Sequence, residues 1–172
     1  SAGAARAFEV IKGASRKHRV DVLTFIDSEH DRRYIPALQA IAQTVDTIVR
    51  TRTPNAGDLL GMQPRQFVTE YSDPAMATEI RRRVSAGFYD LVQFEFLQAG
   101  WLMPRDCPIP SILTHHEVQH SGQLQRMRLA SSLVEKARYF VAWMRVLNWE
   151  LEICSRFRRV ITVSPDDAAY LA

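Results

Sequence analysis

The chain has 172 residues, 47% of them hydrophobic and 24% charged, a composition that excludes a wholly disordered protein and suits a globular domain with a real core. Its formal net charge of +3 permits an anionic ligand or an anionic lipid surface but does not call for nucleic acid. The two cysteines, Cys107 and Cys154, stand far apart and suggest no disulfide framework, and no apolar run approaches a membrane span, so a reduced, cytoplasmic setting is expected.

In chain order, Ala4 to Lys17 reads as a helix, with Ala7, Val10, Ile11 and Ala14 at helical spacing. VDVLTFI, residues 20–26, is a β-branched and aromatic run and predicts a strand. Residues 33–43 predict a helix with Pro36 in its first turn, and 45–50 a second strand. The segment 51–66, with Pro54, Gly57, Gly61 and Pro64, predicts a loop. Asp73-Pro74 opens a helix reaching about Ser85, which Gly87 ends. YDLVQFEF, 89–96, predicts a strand. Residues 104–110 form a turn-rich loop, and SILTHH, 111–116, begins as a strand.

A long helix is expected from Ser121 to Phe157. Leu133, Ala137, Phe140, Val141, Met144, Leu147, Leu151 and Cys154 form its core-facing stripe. A strand over 159–164 follows. Ser164, Pro165 and two acidic residues then cap a last helix. Arg81-Arg82-Arg83 and Arg156, Arg158 and Arg159 read as solvated faces. The alternation predicts an α/β fold, a doubly wound parallel sheet. The first recognisable element is a helix, so a preceding strand is expected to be missing and both ends to be trimmed.

Residues 116–120 match H-E-x-x-H, the zinc-hydrolase pattern. That chemistry needs both imidazoles on one face of a helix. Here the match follows the strand-like PSILT, position 123 is Gln rather than Gly, and no later motif presents a third ligand, although Glu135, Glu150 or Glu152 can be nominated. A metal site is therefore not expected. In open α/β sheets ligands bind beyond the carboxyl ends of strands. That rule singles out Asp27, Ser28, the loop from Thr51, Glu95, Phe96, residues 115–117 and Ser164.

Taken together, the opening AGAARAFEVIKGASRKHRVDVLTF, then YDLVQFEF, IPSILTHHEVQ and FRRVITVSPDDAAYLA resemble, in order and spacing, the N-terminal domain of a family-4 retaining glycosyltransferase. The likeness runs over nearly the whole chain. It implies a Rossmann-like domain of the two-domain GT-B architecture, spanning residues 1–172, with the nucleotide-sugar-binding domain outside this sequence. It implies that His116 is the active-site histidine, that Gly3 stands in the Gly-rich loop near the donor phosphates, and that Arg6 adds charge there. Either His115 or His116 faces the cleft, because strand alternation sends neighbouring side chains to opposite sides.

The resemblance further implies transfer of a sugar from a nucleotide sugar to an acceptor hydroxyl, with retention, and no cofactor or obligatory metal. On the acceptor side the strand-end rule and the resemblance nominate Glu95, Glu117 and, on a loop beside the cleft, Trp101. Expected partners are the nucleotide sugar and an acceptor sugar, small molecule or lipid-linked glycan. The basic and aromatic residues of the long helix suggest peripheral contact with the inner face of a membrane. This chain alone is expected not to catalyse transfer. The alternative is a non-catalytic α/β ligand-binding or regulatory module, and a zinc hydrolase comes third.

Overall fold

The computed structural model describes residues 2–51 and 71–171, which fall in two compact units, Ser1–Arg52 and Thr53–Ala172. The loop expected over 51–66 lies, beyond Thr51, outside the described residues. Among the described residues the protein is α/β with parallel strands in two small sheets, one in each unit, an arrangement compatible with the Rossmann-like fold expected.

In the first unit, helix α1 (Ala2–Ser15) precedes strand β1 (Asp21–Ile26). β1 pairs in parallel with β2 (Thr44–Val49), from Asp21↔Thr44 to Ile26↔Val49. The crossover is not the single helix expected over 33–43. A 3-10 helix, Glu29–Tyr34, comes first, and α2 (Ile35–Gln39) follows. Pro36 explains the break: it has no N–H, and its ring clashes with the carbonyl four residues back. The Asp31 carboxylate starts the 3-10 helix by accepting from the N–H groups of Asp27 and Ser28, at 3.1 and 3.0 Å.

In the second unit, α3 (Pro74–Val84) starts as its sequence requires. The Asp73 carboxylate accepts from Ala75 N at 2.9 Å and Met76 N at 3.1 Å, and Pro74 needs no partner there. Met76, Ile80 and Val84 recur every fourth residue and are buried. Gly87 follows at φ +73°, a left-handed conformation that glycine adopts without a Cβ penalty.

The three-stranded sheet has the order β3 (Val92–Glu95), β4 (Ser111–His115), β5 (Arg159–Thr162). A short helix α4 (Leu97–Gly100) leaves β3. Helices α5 (Gln119–Leu129) and α6 (Leu133–Cys154) connect β4 to β5, and α7 (Pro165–Leu171) follows β5. Ser164 caps α7 as expected, accepting from Asp167 N at 3.1 Å. β3 is shorter than the expected strand over 89–96.

The long helix expected over 121–157 is two. Ala130 leaves the helical region at ψ 136°, and the Ser132 side chain caps a fresh helix by accepting from Glu135 N at 3.2 Å. The face of α6 that packs is also not the expected stripe. Val146, Trp149, Glu150 and Ile153 are buried, whereas Leu133, Phe140, Val141, Met144 and Leu151 are exposed. Apolar residues occur on two faces of this helix, so periodicity alone does not choose between them. Ile153 and Trp149 join Leu113 of the central strand, Phe94 and Phe157 in the core, with the two phenylalanine rings edge-on at 5.4 Å. Among the described residues no helix is long and apolar enough to cross a membrane.

Candidate functional site

β3 and β4 run side by side in the same direction, with Glu95 opposite Thr114, so their carboxyl ends deliver Glu95, Phe96, His115 and His116 to one edge of the sheet. Gln93 and Glu95 lie two apart and share a face. Glu95 Oε1 accepts from Gln93 Nε2 at 2.7 Å and from Thr114 Oγ1 at 2.9 Å. Its other oxygen, Oε2, is 2.8 Å from His116 Nε2. Two neutral donors thus hold the carboxylate, and the carboxylate holds the imidazole. The His116 and Glu95 side chains keep 13% and 18% of their surface, so a ligand can reach both.

The His116 ring also stacks on Phe96, with centroids 4.3 Å apart and planes at 21°. Phe96 sits at φ 75° and ψ 136°, and it has the one positive φ on a non-glycine residue among those described. Such a conformation costs about 1–3 kcal/mol and persists only where its surroundings over-determine it. Here the Phe96 N–H donates to Thr114 O at 3.1 Å, and Phe96 O accepts from Gly100 N at 3.3 Å. The strained residue turns the chain from β3 into α4 while its ring lies against His116.

His115 points the other way and is fully buried. Its Nε2 lies 2.7 Å from Glu150 Oε1, an ion-pair distance without hydrogen-bond alignment, and its Nδ1 has no hydrogen-bond partner among the described residues. Glu150, also fully buried, accepts from Gln119 N at 2.9 Å and His120 N at 3.1 Å, and lies 2.6 Å from His120 Nδ1. Burial by itself would push the Glu150 carboxyl up. The imidazoles of His115 and His120 and the Gln119 N–H together outweigh that and hold it below the ordinary carboxylate range. The carboxylate therefore caps the first turn of α5 from a neighbouring helix, an anion at a helix N-terminus. It pins the chain on either side of His116.

The H-E-x-x-H match is not realised as a helical pair. α5 begins at Gln119, so His116 precedes the helix and His120 lies in its first turn. The two imidazoles are taken by different carboxylates, Glu95 and Glu150. Among the described residues no group of three His, Cys, Asp or Glu side chains could hold a metal ion.

Of the residues expected to form a site, Glu95 and His116 are brought together. His115 is turned into the fold. Glu117 is exposed on the turn, its carbonyl 3.5 Å from Gln119 Nε2. Trp101 ends α4 under Arg156, whose guanidinium lies 4.5 Å from the ring centroid and donates to the Trp101 carbonyl at 2.9 Å. Gly3 and Arg6 lie in the first turns of α1, in the other unit, and Gly3 is helical rather than in a loop. Sequence reasoning misses Gln93, Thr114 and the structural role of Glu150. The Q-x-E alternation signals the first. The signal for Glu150 is a carboxylate four residues after Val146 and three before Ile153, on an otherwise apolar face.

No protein family model, no curated protein and no solved structure matches the chain.

Proposed function

We propose that the chain is the acceptor-side, Rossmann-like domain of a retaining GT-B glycosyltransferase, and that His116 contacts the transferred sugar. The observation that carries this is the His116–Glu95 pair at the carboxyl ends of adjacent parallel strands. Ligands of open α/β sheets collect at such ends. A carboxylate accepts and does not donate, so Glu95 fixes the proton of His116 on Nε2 and leaves Nδ1 as an acceptor for a sugar hydroxyl. Phe96, stacked on the same ring, prevents it from turning. A pre-set imidazole of this kind contributes orientation to the reaction. The leaving diphosphate would be stabilised by basic groups and helix N-termini of the partner domain. The order of motifs from AGAARAFEVIKG to FRRVITVSPDD supports the same reading.

The test is donor hydrolysis and transfer by the full-length protein that contains this chain, over UDP-, GDP- and ADP-sugars, with and without EDTA. EDTA-resistant turnover with one donor, lost in His116→Ala, is the expected result. Absence of turnover with every donor, candidate acceptors and lipid included, would shift the reading to a ligand-binding module without transfer chemistry.

A further inference from the structure

The corner between α5 and α6 carries apolar side chains that nothing in the described structure covers. Leu129, Leu133 and Val134 are 78%, 84% and 81% exposed. The exposed face continues along α6 through Phe140, Val141 and Met144, at spacings of seven, eight and eleven residues from Leu133, one continuous helical stripe. Cations surround the corner: Arg126 and Arg128 in the last turn of α5, and Lys136 and Arg138 in the first turns of α6, all exposed. Residues 126–138 hold these four cations and one carboxylate, Glu135, for a net of +3. That equals the formal charge of the whole chain, so the remaining residues balance at 18 of each sign. The excess charge of the protein is concentrated where the most exposed aliphatic side chains among the described residues are.

We infer that this corner docks on an anionic lipid bilayer, with Leu129, Leu133 and Val134 entering the acyl boundary and the four cations lying among the headgroups. Charge selects this occupant. A second copy would bring +3 against +3, and a nucleic-acid backbone would use the cations but leave the leucines and the valine in water. A bilayer with anionic headgroups satisfies both kinds of group at once. The inference stands on the corner alone and does not depend on the transfer chemistry proposed above.

The test is co-sedimentation of the 172-residue chain with vesicles of phosphatidylcholine mixed with phosphatidylglycerol, beside vesicles of phosphatidylcholine alone. Binding is expected to the anionic vesicles only and to weaken as salt is raised. Leu133→Ser/Val134→Ser should weaken it at least about tenfold. Arg126→Gln/Arg128→Gln should weaken it roughly fivefold for each charge removed. All four positions are exposed, so the circular-dichroism melts of both variants should match the wild type. No sedimentation with anionic vesicles, equal binding to neutral vesicles, or undiminished binding of the serine variant would each overturn the inference. So would a dimer in solution that the serine variant dissolves, because a second copy would then be the occupant.

Discussion

Glu150 and His120 meet at 2.6 Å across the junction of two helices, a buried carboxylate on α6 against the first turn of α5. The same carboxylate takes Gln119 N and His120 N and lies against His115. Truncation would leave the His120 imidazole and two backbone N–H groups buried without their acceptor, and His115 without the charge beside it. Glu150→Ala should therefore cost about 3–5 kcal/mol of unfolding free energy, the scale seen when one partner of a buried charged pair is removed. Glu150→Gln keeps one acceptor oxygen and should cost less, about 1–3 kcal/mol. Urea denaturation followed by tryptophan fluorescence checks both. A loss below about 1 kcal/mol for the alanine variant would show that the network is not holding the junction.

The same group gives a pH dependence of stated sign. The folded-state pKa of Glu150 is depressed, by contacts that outweigh its burial. A depressed carboxyl binds its proton less tightly in the folded state. Its stabilisation is therefore complete above the unfolded value, about 4.3, and is lost as pH falls through the folded value. The groups around it are His115, His120 and, one turn along α6, Cys154. The difference in unfolding free energy between wild type and Glu150→Gln should shrink as pH falls below about 5. A difference that grows on acidification would mean the carboxyl is protonated in the native fold.

Much of this site is legible in the sequence, and the illegible part has physical causes. Asp73-Pro74 and Ser164-Pro165 announce their helices because N-caps are local chemistry. His116 and Glu95 stand out because strand ends can be read from composition. The break at Ala130 is hidden, although Ser132 and Glu135 have the capping spacing, because an apolar pattern runs on through it. The inward face of α6 is hidden for the related reason that two apolar rows compete there and only tertiary contact selects one. The positive φ of Phe96 has no sequence signal, since a phenylalanine does not advertise a backbone conformation it normally avoids.

Gly100 is fixed by its neighbours. A Cβ there would lie 2.8 Å from Ile153 Cγ2, 3.1 Å from Phe157 Cε2 and 3.2 Å from Leu113 Cδ1. All three belong to the core, so none yields freely. Gly100→Ala should lower stability by about 1–3 kcal/mol through overpacking. At Gly13, in α1, nothing lies within 4 Å of where a Cβ would stand, and Gly13→Ala should stabilise by about 0.5–1 kcal/mol. Denaturant midpoints should move in opposite directions for the two variants. A neutral Gly100→Ala would show that α4 can lift from α6 without cost.

Cys154 ends α6, and its thiol is pushed up to about 12, first by burial and then by the charge of Glu150 one turn away. At pH 8 its thiolate fraction would be about one in ten thousand. Iodoacetamide at that pH should leave Cys154 unmodified in the native chain and label it in denaturant, as read by peptide mass spectrometry. Prompt labelling of native Cys154 would mean that the end of α6 opens on the timescale of the reaction, and the packing argued for Ile153 and Glu150 would have to be loosened with it.

The contact of His116 with Glu95 allows a sharper experiment than loss of the histidine. Glu95→Gln preserves size but replaces an acceptor-only group with one that also donates. Its amide can turn an N–H toward His116 Nε2, which favours the other tautomer and moves the imidazole proton to Nδ1. If His116 acts on the sugar through Nδ1, the variant presents a donor where an acceptor is needed. Turnover by the full-length protein should fall about a hundredfold, the cost of a misplaced catalytic group, while thermal stability changes little. The fall should lie in kcat more than in KM, because the rest of the binding surface is intact. The ring-nitrogen chemical shifts of His116 report the tautomer directly, in the absence of any substrate. A changed tautomer with unchanged turnover would leave the geometry standing and remove His116 from the chemistry. Gln93 and Thr114, which donate to Glu95 Oε1 at 2.7 and 2.9 Å, should hold the glutamine's oxygen on their side and its N–H toward His116, so an unchanged tautomer would mean that the amide has turned over and still offers His116 an oxygen.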